Sequence, residues 1–196
     1  SFPTRRSYDL VLGSNNLLPL SENAKYGPNT PYATSKMCSE LYCEMYHKTY
    51  NLPVKILRLF NVYGPGKKSM VVYDLINKLQ NNSNVLQIRG TGNQIRDFLY
   101  IDDLIQGIIL VTKKGKNGDI YNIASGKPLT ILKLANKIVN IMDFSNIKLR
   151  MDNHSFEGEF LKWYADITKI QKIGFNINTN INNGLNKTIK WVEKNK

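Results

Sequence analysis

The chain has 196 residues, 42% of them hydrophobic and 21% charged, a composition typical of a globular protein that buries a sizeable core. Its 27 Lys and Arg against 15 Asp and Glu give a formal net charge of +12. The lysines are scattered, however, and do not form the basic stripe with interleaved aromatics that a nucleic-acid-binding module needs. No segment reaches the roughly 18 apolar residues of a membrane span. We therefore expect neither nucleic acid nor a membrane as a partner.

Cysteines and histidines are few. Cys38 and Cys43 are five positions apart in a predicted helix and point about 140° apart, so we expect free thiols and a reducing, cytoplasmic location. Neither His47 nor His154 has a partner at metal-ligand spacing, and we predict no metal site.

The first predicted elements are a loop and a long helix. Residues 1–10 show no clear periodicity, and residues 18–31, LPLSENAKYGPNTP, are polar and rich in turn formers. From Pro31 to Tyr50 the pattern is helical, because proline suits the first turn of a helix and Leu41 and Met45 recur on one face.

A strand, a helix and a second strand follow. The apolar run in residues 52–64, LPVKILRLFNVYG, predicts a buried strand that is broken at Asn61. Residues 70–79 predict a helix, and VLQIRG at residues 85–90 predicts a short strand. The string GTGNQI at Gly90 precedes another strand and not a helix, so it does not fit a phosphate-binding glycine turn.

The middle of the chain continues the alternation of strand and helix. Residues 95–114 predict a strand that leads into a helix capped by Asp102 or Asp103. Residues 118–125 predict a further strand, and Thr130 is predicted to cap a helix with clear 3.6-residue periodicity.

The last predicted elements are a strand, a short helix and a final helix. The strand lies at residues 146–151, the short helix lies in residues 165–175 and is closed by Gly174, and Leu185 and Ile189 mark the final helix. Because strand and helix patterns alternate almost throughout, the sequence predicts an α/β fold with a mainly parallel sheet.

A tyrosine and a lysine stand four positions apart in the string TPYATSK. One helical turn places Tyr32 and Lys36 on the same face of the first predicted helix. A lysine ammonium a few ångströms away stabilises a phenolate and lowers a phenol pKa that is otherwise near 10. Such a phenolate can accept a proton from a sugar hydroxyl while a nicotinamide oxidises the carbon. The alternative is an ordinary surface pair on an amphipathic helix.

Five motifs occur in a characteristic order, and the string that contains Tyr32 and Lys36 is the first of them. They are TPYATSK, LPVKILRLFNVYGPG, GNQIRDFLYIDD, YNIASG and KWYADITKIQKIGF. In this order and at these intervals they resemble the extended short-chain dehydrogenase/reductase family, and within it the NAD-dependent nucleotide-sugar epimerases and dehydratases. The resemblance extends from about Val11 to the C-terminus.

The resemblance implies a fold and a division into domains. It implies an α/β fold, namely the C-terminal part of a doubly wound Rossmann-type sheet with a smaller α/β substrate-binding domain. Residues 1–61 and 97–127 would form the remnant of the NAD-binding domain, and residues 62–96 and 128–196 the substrate-binding domain. The family's glycine-rich, pyrophosphate-binding turn has no counterpart in this sequence. We therefore expect a fragment that neither binds NAD tightly nor catalyses by itself, and whose parallel strands present an unpaired edge.

The resemblance also implies roles for five residues. Tyr32 would be the general acid/base, and Lys36 would also hydrogen-bond the nicotinamide ribose. Tyr32, Lys36 and Phe60 would contact the cofactor, while Asn61 and Arg96 would contact the diphosphate or sugar of the substrate.

Alternatives stay open at the two substrate-binding positions and at the neighbouring carboxylates. Asn61 could instead be a turn residue that hydrogen-bonds its own backbone. Arg96 could instead form an ion pair with Asp97 or Asp102. Asp102 and Asp103 are interpreted as a helix cap and not as catalytic carboxylates.

Two stretches depart from the family pattern. The family places Thr or Ser three residues before a VYG string, and VLG at Val11 puts Tyr8 at that position, with Ser7 beside it. The third catalytic group is therefore open, and residues 1–10 look foreign to the family. The string SFE stands before Gly158, where the family often has a nucleotide-binding arginine.

The resemblance implies catalysis on a nucleotide-diphosphate sugar through transient oxidation at C4. A 4-epimerase is the preferred interpretation, because a dehydratase needs an Asp–Glu pair and the corresponding string YDL has only Asp9. The alternatives are a dehydratase, a decarboxylase, a reductase or an inactive truncated form. The resemblance further implies NAD as cofactor, with NADP as the alternative, and a homodimer as the intact enzyme.

Overall fold

The computed structural model describes residue 12 and residues 17–81, 84–144, 146–153 and 161–195. The helices are α1 (Pro31–Tyr50), α2 (Met70–Asn81), α3 (Ile101–Lys114), α4 (Ile131–Ile141), α5 (Thr168–Lys172) and α6 (Ile181–Lys194). The strands are β1 (Ile56–Leu59), β2 (Asn61–Tyr63), β3 (Val85–Ile88), β4 (Ile95–Arg96), β5 (Phe98–Tyr100), β6 (Ile120–Ile123), β7 (Leu129–Thr130), β8 (Lys148–Met151) and β9 (Lys162–Trp163). The predicted α/β fold is confirmed, and all six predicted helices are present.

Helix α1 has the bounds that the sequence predicts, because both ends carry local signals. Thr30 Oγ1 accepts a hydrogen bond from the backbone N–H of Ala33 at 3.1 Å, and Pro31 occupies the first helical position. The helix ends where Asn51 adopts a left-handed conformation with φ of 54°.

The strand predicted in residues 52–64 is two strands, because the chain changes partners at Phe60. Strand β1 pairs in parallel with β6, and the N–H of Phe60 donates to the carbonyl of Ile123 at 3.2 Å. The N–H of Asn61 then donates to the carbonyl of Asp97 at 3.1 Å, and β2 pairs in parallel with β5. Phe60 and Asn61 therefore lie just beyond the carboxyl end of β1, the side on which open α/β sheets bind ligands.

The remaining strands pair in two further groups. Strands β3 and β8 are parallel, while β4 lies between β7, which is antiparallel to it, and β9, which is parallel. The pairing is thus mainly parallel, as predicted. Among the described residues, the strand partner of β1 is β6.

Two hydrophobic clusters form the core. The first fills the space between α2, α4, α6 and β3, and its fully buried members include Ile76, Leu86, Leu134, Ile138 and Leu185. The second packs β6, α3 and α5 together with the segment before α1, and includes Leu12, Leu20, Leu99, Ile123 and Ile170. At about 25 cal/mol per Å² of apolar surface removed from water, such burial is the main stabilising term of the fold.

The predicted cap of α3 is wrong, whereas the predicted cap of α4 is confirmed. Thr130 Oγ1 accepts from the N–H of Lys133 at 3.1 Å. At α3 the cap position is Tyr100, which makes no side-chain cap, and Asp102 and Asp103 lie in the first helical turn.

Asp103 instead binds the loop before α6. Its carboxylate is fully buried and accepts from the backbone N–H groups of Asn178 and Thr179, each at 3.1 Å. A carboxylate in the first turn of a helix is favoured by the helix dipole, so the sequence signal is the same whether the carboxylate caps the helix or binds a distant loop.

The outer face of α1 is apolar and exposed. Leu41, Tyr42, Met45 and Tyr46 are all at least 41% exposed. Cys38 and Cys43 are free thiols, as predicted. Within the described parts of the chain, no helix combines the length and apolar character needed to cross a membrane.

Candidate active site

A cavity of about 180 Å³ is lined mainly by residues of α1 and β1 and by Phe60, which follows β1. It brings together three of the residues predicted to be functional, Tyr32, Lys36 and Phe60. Its other lining residues are Leu12, Glu40, Leu57, Arg58, Leu59 and Trp163. The cavity is thus lined by polar and charged side chains, Arg58 on β1 among them, together with aromatic and aliphatic side chains.

Tyr32 and Lys36 lie on the same face of α1, as their spacing predicts. The Nζ atom of Lys36 is 5.7 Å from the centre of the Tyr32 ring. Tyr32 is partly buried and Lys36 is exposed at the mouth of the cavity. The ammonium thus lies near the phenol ring, and a nearby positive charge in general favours the ionised form of a phenol.

A buried ion pair lies one helical turn beyond Lys36. The guanidinium of Arg58, on β1, donates to the carboxylate of Glu40 from Nη2 to Oε2 at 2.7 Å and from Nε to Oε1 at 3.0 Å. Tyr26 Oη donates to Glu40 Oε2 at 2.9 Å, and partial burial, followed by this hydrogen bond, raises the pKa of Tyr26. The pair joins α1 to β1, and both side chains line the cavity.

The aromatic wall consists of Phe60 and Trp163. Their rings are stacked, with centroids 6.1 Å apart and an interplanar angle of 29°, and both side chains are at most 4% exposed. Trp163 was missed by sequence reasoning. It lies more than 100 residues from Phe60 along the chain, and only the packing of β9 brings the two together.

Asn61 lines a second, smaller pocket of about 10 Å³, together with Lys67, Ser69 and Met70 at and before the start of α2. Asn61 is 9% exposed, and its Nδ2 has no hydrogen-bond partner among the described residues. A buried amide N–H without a partner is costly, and this Nδ2 is available to a ligand or solvent group.

Arg96 lies on β4 and does not line either pocket. Its Nη1 donates to the carbonyl of Ile95 at 2.9 Å. Asp97, one of the two carboxylates considered as its ion-pair partner, accepts from the N–H groups of Ser125 at 2.7 Å and Gly126 at 2.9 Å. Burial raises the pKa of the Asp97 carboxyl. The other candidate partner, Asp102, has its Oδ2 3.8 Å from Nζ of Lys187.

Several predicted positions lie outside the described residues. These are the open third catalytic position at Ser7 and Tyr8, the neighbouring Asp9 and Val11, and the SFE string before Gly158 together with His154. His47 is described, and one ring nitrogen, Nδ1, lies 2.7 Å from the carbonyl of Leu52 at the end of α1.

The motifs around this cavity are matched by the sequence model of the NAD dependent epimerase/dehydratase family, which covers residues 8–124. That match spans more than half of the chain and includes Tyr32, Lys36, Phe60, Asn61 and Arg96. The chain belongs to this family.

A curated family member from Bos taurus is similar along almost the whole chain. The dTDP-D-glucose 4,6-dehydratase of that organism is 32% identical over 195 residues, which cover 96% of this chain and 55% of the relative. The chain therefore spans little more than half of that relative's length.

Two solved structures of the family share the fold. The UDP-N-acetylglucosamine 4-epimerase of Methanobrevibacter ruminantium M1 has a TM-score of 0.85 and 30% identity, covering 95% of this chain and 61% of the epimerase. The dTDP-glucose 4,6-dehydratase DesIV of Streptomyces venezuelae, solved with NAD bound, has a TM-score of 0.83 and 31% identity, covering 95% of this chain and 58% of DesIV. Epimerases and dehydratases are thus both among the similar structures.

Proposed function

We propose that this chain is the catalytic and substrate-binding part of an NAD-dependent nucleotide-sugar 4-epimerase. One observation carries the proposal: Tyr32, Lys36 and Phe60 line a single cavity at the carboxyl end of β1. The next residue, Asn61, buries an amide without a partner among the described residues. Phenol, ammonium and aromatic wall are the groups expected at the nicotinamide end of a dinucleotide, and the orphan amide is the group expected toward the substrate.

The donor set of the cavity fits the nicotinamide and its ribose, and not a whole dinucleotide. Tyr32 and Lys36 offer a hydroxyl and an ammonium for ribose oxygens, and Phe60 offers an apolar contact. NAD, when bound, would supply the oxidation and reduction of the sugar carbon. The sequence offers no glycine-rich strand–turn–helix for the pyrophosphate.

In the proposed mechanism Tyr32 moves the proton. As phenolate it accepts the proton of the sugar C4 hydroxyl, and as phenol it returns that proton when the carbonyl is reduced from the other face of the sugar. Lys36, 5.7 Å from the ring centre, stabilises the phenolate, so that Tyr32 can act as a base near neutral pH. No further acid or base is required for epimerisation.

The diphosphate of the substrate is proposed to lie over Asn61 and the start of α2. Asn61 Nδ2 is a free donor among the described residues, and the first turn of this twelve-residue helix presents backbone N–H groups and the positive end of its dipole. Lys67 lines the same pocket and adds a positive charge, although its Nζ donates to the carbonyl of Val62 at 3.0 Å.

A 4,6-dehydratase is the second candidate, because a curated relative and a similar structure carry that name. The epimerase is preferred on the sequence of the YDL string, where Asp9 has no adjacent Glu to complete the acid–base pair of a dehydratase. Decarboxylase and reductase activities would use the same Tyr32–Lys36 chemistry.

The proposal keeps the division into a Rossmann remnant, residues 1–61 and 97–127, and a substrate-binding domain, residues 62–96 and 128–196. The two hydrophobic clusters support a division, although residues 163–175 pack into the cluster of the Rossmann remnant.

A homodimer and a cytoplasmic location complete the proposal. The exposed apolar face of α1, with Leu41, Tyr42, Met45 and Tyr46, suits burial against a second subunit. Free thiols at Cys38 and Cys43 suit a reducing compartment.

We propose that Arg96 contacts the diphosphate of the substrate, as the family resemblance implies, although it lines neither pocket. Arg96→Ala is therefore expected to weaken nucleotide-sugar binding by about tenfold or more, because a charge-assisted hydrogen bond to phosphate contributes roughly 1.5–3 kcal/mol. The melting temperature should shift little. Calorimetric titration with UDP-glucose and dTDP-glucose checks both ligand classes, and Arg150→Ala, an exposed arginine on β8, is the matched control. Unchanged affinity with a large loss of stability would show that Arg96 serves the fold.

A further inference from the structure

Three side chains on one face of α1 follow each other at intervals of one helical turn. Tyr32, Lys36 and Glu40 all line the same cavity. Side chains four residues apart on a helix are neighbours, so the ammonium of Lys36 is within reach of a phenol on one side and of a carboxylate on the other. A carboxylate attracts an ammonium more strongly than a neutral phenol does. Without other partners, Glu40 would therefore form an ion pair with Lys36 and separate it from Tyr32.

Glu40 is occupied by other donors. Arg58 takes both of its oxygens through Nε and Nη2, and Tyr26 adds a third donor at Oε2, at distances of 2.7–3.2 Å. Arg58 is itself fixed, because its Nη1 donates to the carbonyl of Glu22 at 2.9 Å. Glu40 and Arg58 are 9% and 8% exposed, so water does not compete strongly for these contacts.

The side chain of Lys36 lies beside the ring of Tyr32. Its Nζ lies 5.7 Å from the centre of the Tyr32 ring, and it makes no ion pair with any described residue. Arginine suits this position, because the planar guanidinium of Arg58 binds both carboxylate oxygens of Glu40 at once. A lysine in its place could not do so.

We propose that Arg58 is a positioning residue: it holds the carboxylate of Glu40, so that Glu40 does not pair with Lys36 and the ammonium of Lys36 stays beside the phenol of Tyr32. The proposal rests on the assignment of Tyr32 and Lys36 as the catalytic pair. Arg58 contacts neither the phenol nor the substrate in the proposed mechanism and acts only through Glu40.

The protonation of Tyr32 reports on this arrangement directly and needs neither cofactor nor substrate. Among the described residues, the charged side chains that line the cavity with Tyr32 are Lys36 and Glu40 on α1 and Arg58 on β1. Tyr26, from the loop before α1, reaches Glu40, and the Arg58 guanidinium carbon lies 5.4 Å from the centre of its ring.

The experiment is a pH titration of the chain carrying ¹³C-labelled tyrosine, followed by NMR. Tyr32→Phe identifies the Tyr32 resonance among the 11 tyrosines. Lys36→Met is expected to raise the measured pKa of Tyr32 by about one unit. Arg58→Met is expected to raise it by a similar amount, because the freed carboxylate captures the ammonium. Arg58→Met combined with Glu40→Gln should return the pKa close to that of the parent chain.

A double-mutant cycle separates this mechanism from the plain loss of a positive charge. In a Lys36→Met background, Arg58→Met should add little, because no ammonium is left to redirect. If Lys36→Met and Arg58→Met raised the Tyr32 pKa by amounts that simply add in the double variant, the proposal would be overturned, since Arg58 would then act on Tyr32 by its own charge. A rise that Glu40→Gln does not reverse would also overturn it, since Arg58 would then serve only the packing of α1.

Two further outcomes distinguish this proposal from the assignment of the site. An unchanged Tyr32 pKa in Arg58→Met, together with a raised one in Lys36→Met, overturns the role of Arg58 and leaves the catalytic pair intact. An unchanged pKa in Lys36→Met overturns both. If Arg58→Met does not fold, Arg58→Lys keeps the positive charge but cannot hold both carboxylate oxygens of Glu40, and an unchanged Tyr32 pKa in that variant contradicts the proposal.

Discussion

Tyr32→Phe is expected to lower kcat by about 10²–10⁴-fold in the completed enzyme, meaning this chain preceded by a glycine-rich NAD-binding segment of its family. The phenol transfers a proton in the transition state and contributes little to binding of the ground state, so the affinity for the nucleotide sugar should change little. Steady-state kinetics together with a binding titration measure both quantities.

Tyr42→Phe is the matched control for this prediction. Tyr42 lies on the same helix, but its side chain is 64% exposed and does not line the cavity with Tyr32. Its loss of a hydroxyl should leave kcat unchanged. A Tyr32→Phe enzyme that turned over at near the parental rate would remove the central residue of the proposed mechanism.

The 196-residue chain by itself is expected to bind NAD with a dissociation constant of about 1 mM or weaker. The pyrophosphate of a bound dinucleotide normally lies on backbone N–H groups at a glycine-rich turn and a helix N-terminus. This sequence has no such turn, and GTGNQI leads into strand β4. The cavity at Tyr32 offers partners only for the nicotinamide end.

Calorimetric titration of the chain with NAD checks this expectation, and the completed enzyme is the positive control. Restoring the glycine-rich segment should restore tight binding, because the missing contacts are then supplied. Micromolar binding by the chain alone would mean that another segment holds the pyrophosphate, and would contradict the interpretation of the chain as lacking that element.

The sequence predicted best those features that local signals control. Helix α1 extends from Pro31 to Tyr50, as the sequence predicts, and Thr130 caps α4 as its position suggests. The Tyr32–Lys36 pair could be placed on one face because helical spacing is fixed. The order of the motifs identified the family, which the match over residues 8–124 confirms.

The sequence could not predict features that depend on contacts between distant segments. Glu40 meets Arg58 only because α1 packs on β1, and Trp163 meets Phe60 only through the placement of β9. Two-residue strands such as β4 are too short to show an alternating pattern. Asp103 carries the signal of a helix cap but is used by a loop about 75 residues away.

Product analysis of the completed enzyme in D₂O decides whether the chain belongs to a nucleotide-sugar 4-epimerase. The enzyme is incubated with UDP-glucose, UDP-N-acetylglucosamine or dTDP-glucose, and the products are followed by proton NMR. We predict that at least one sugar is converted to its C4 epimer without solvent deuterium on the ring carbons. A 4-keto-6-deoxy product with solvent deuterium at C5 would instead identify a dehydratase, and no conversion of any nucleotide sugar would contradict the proposed function as a whole.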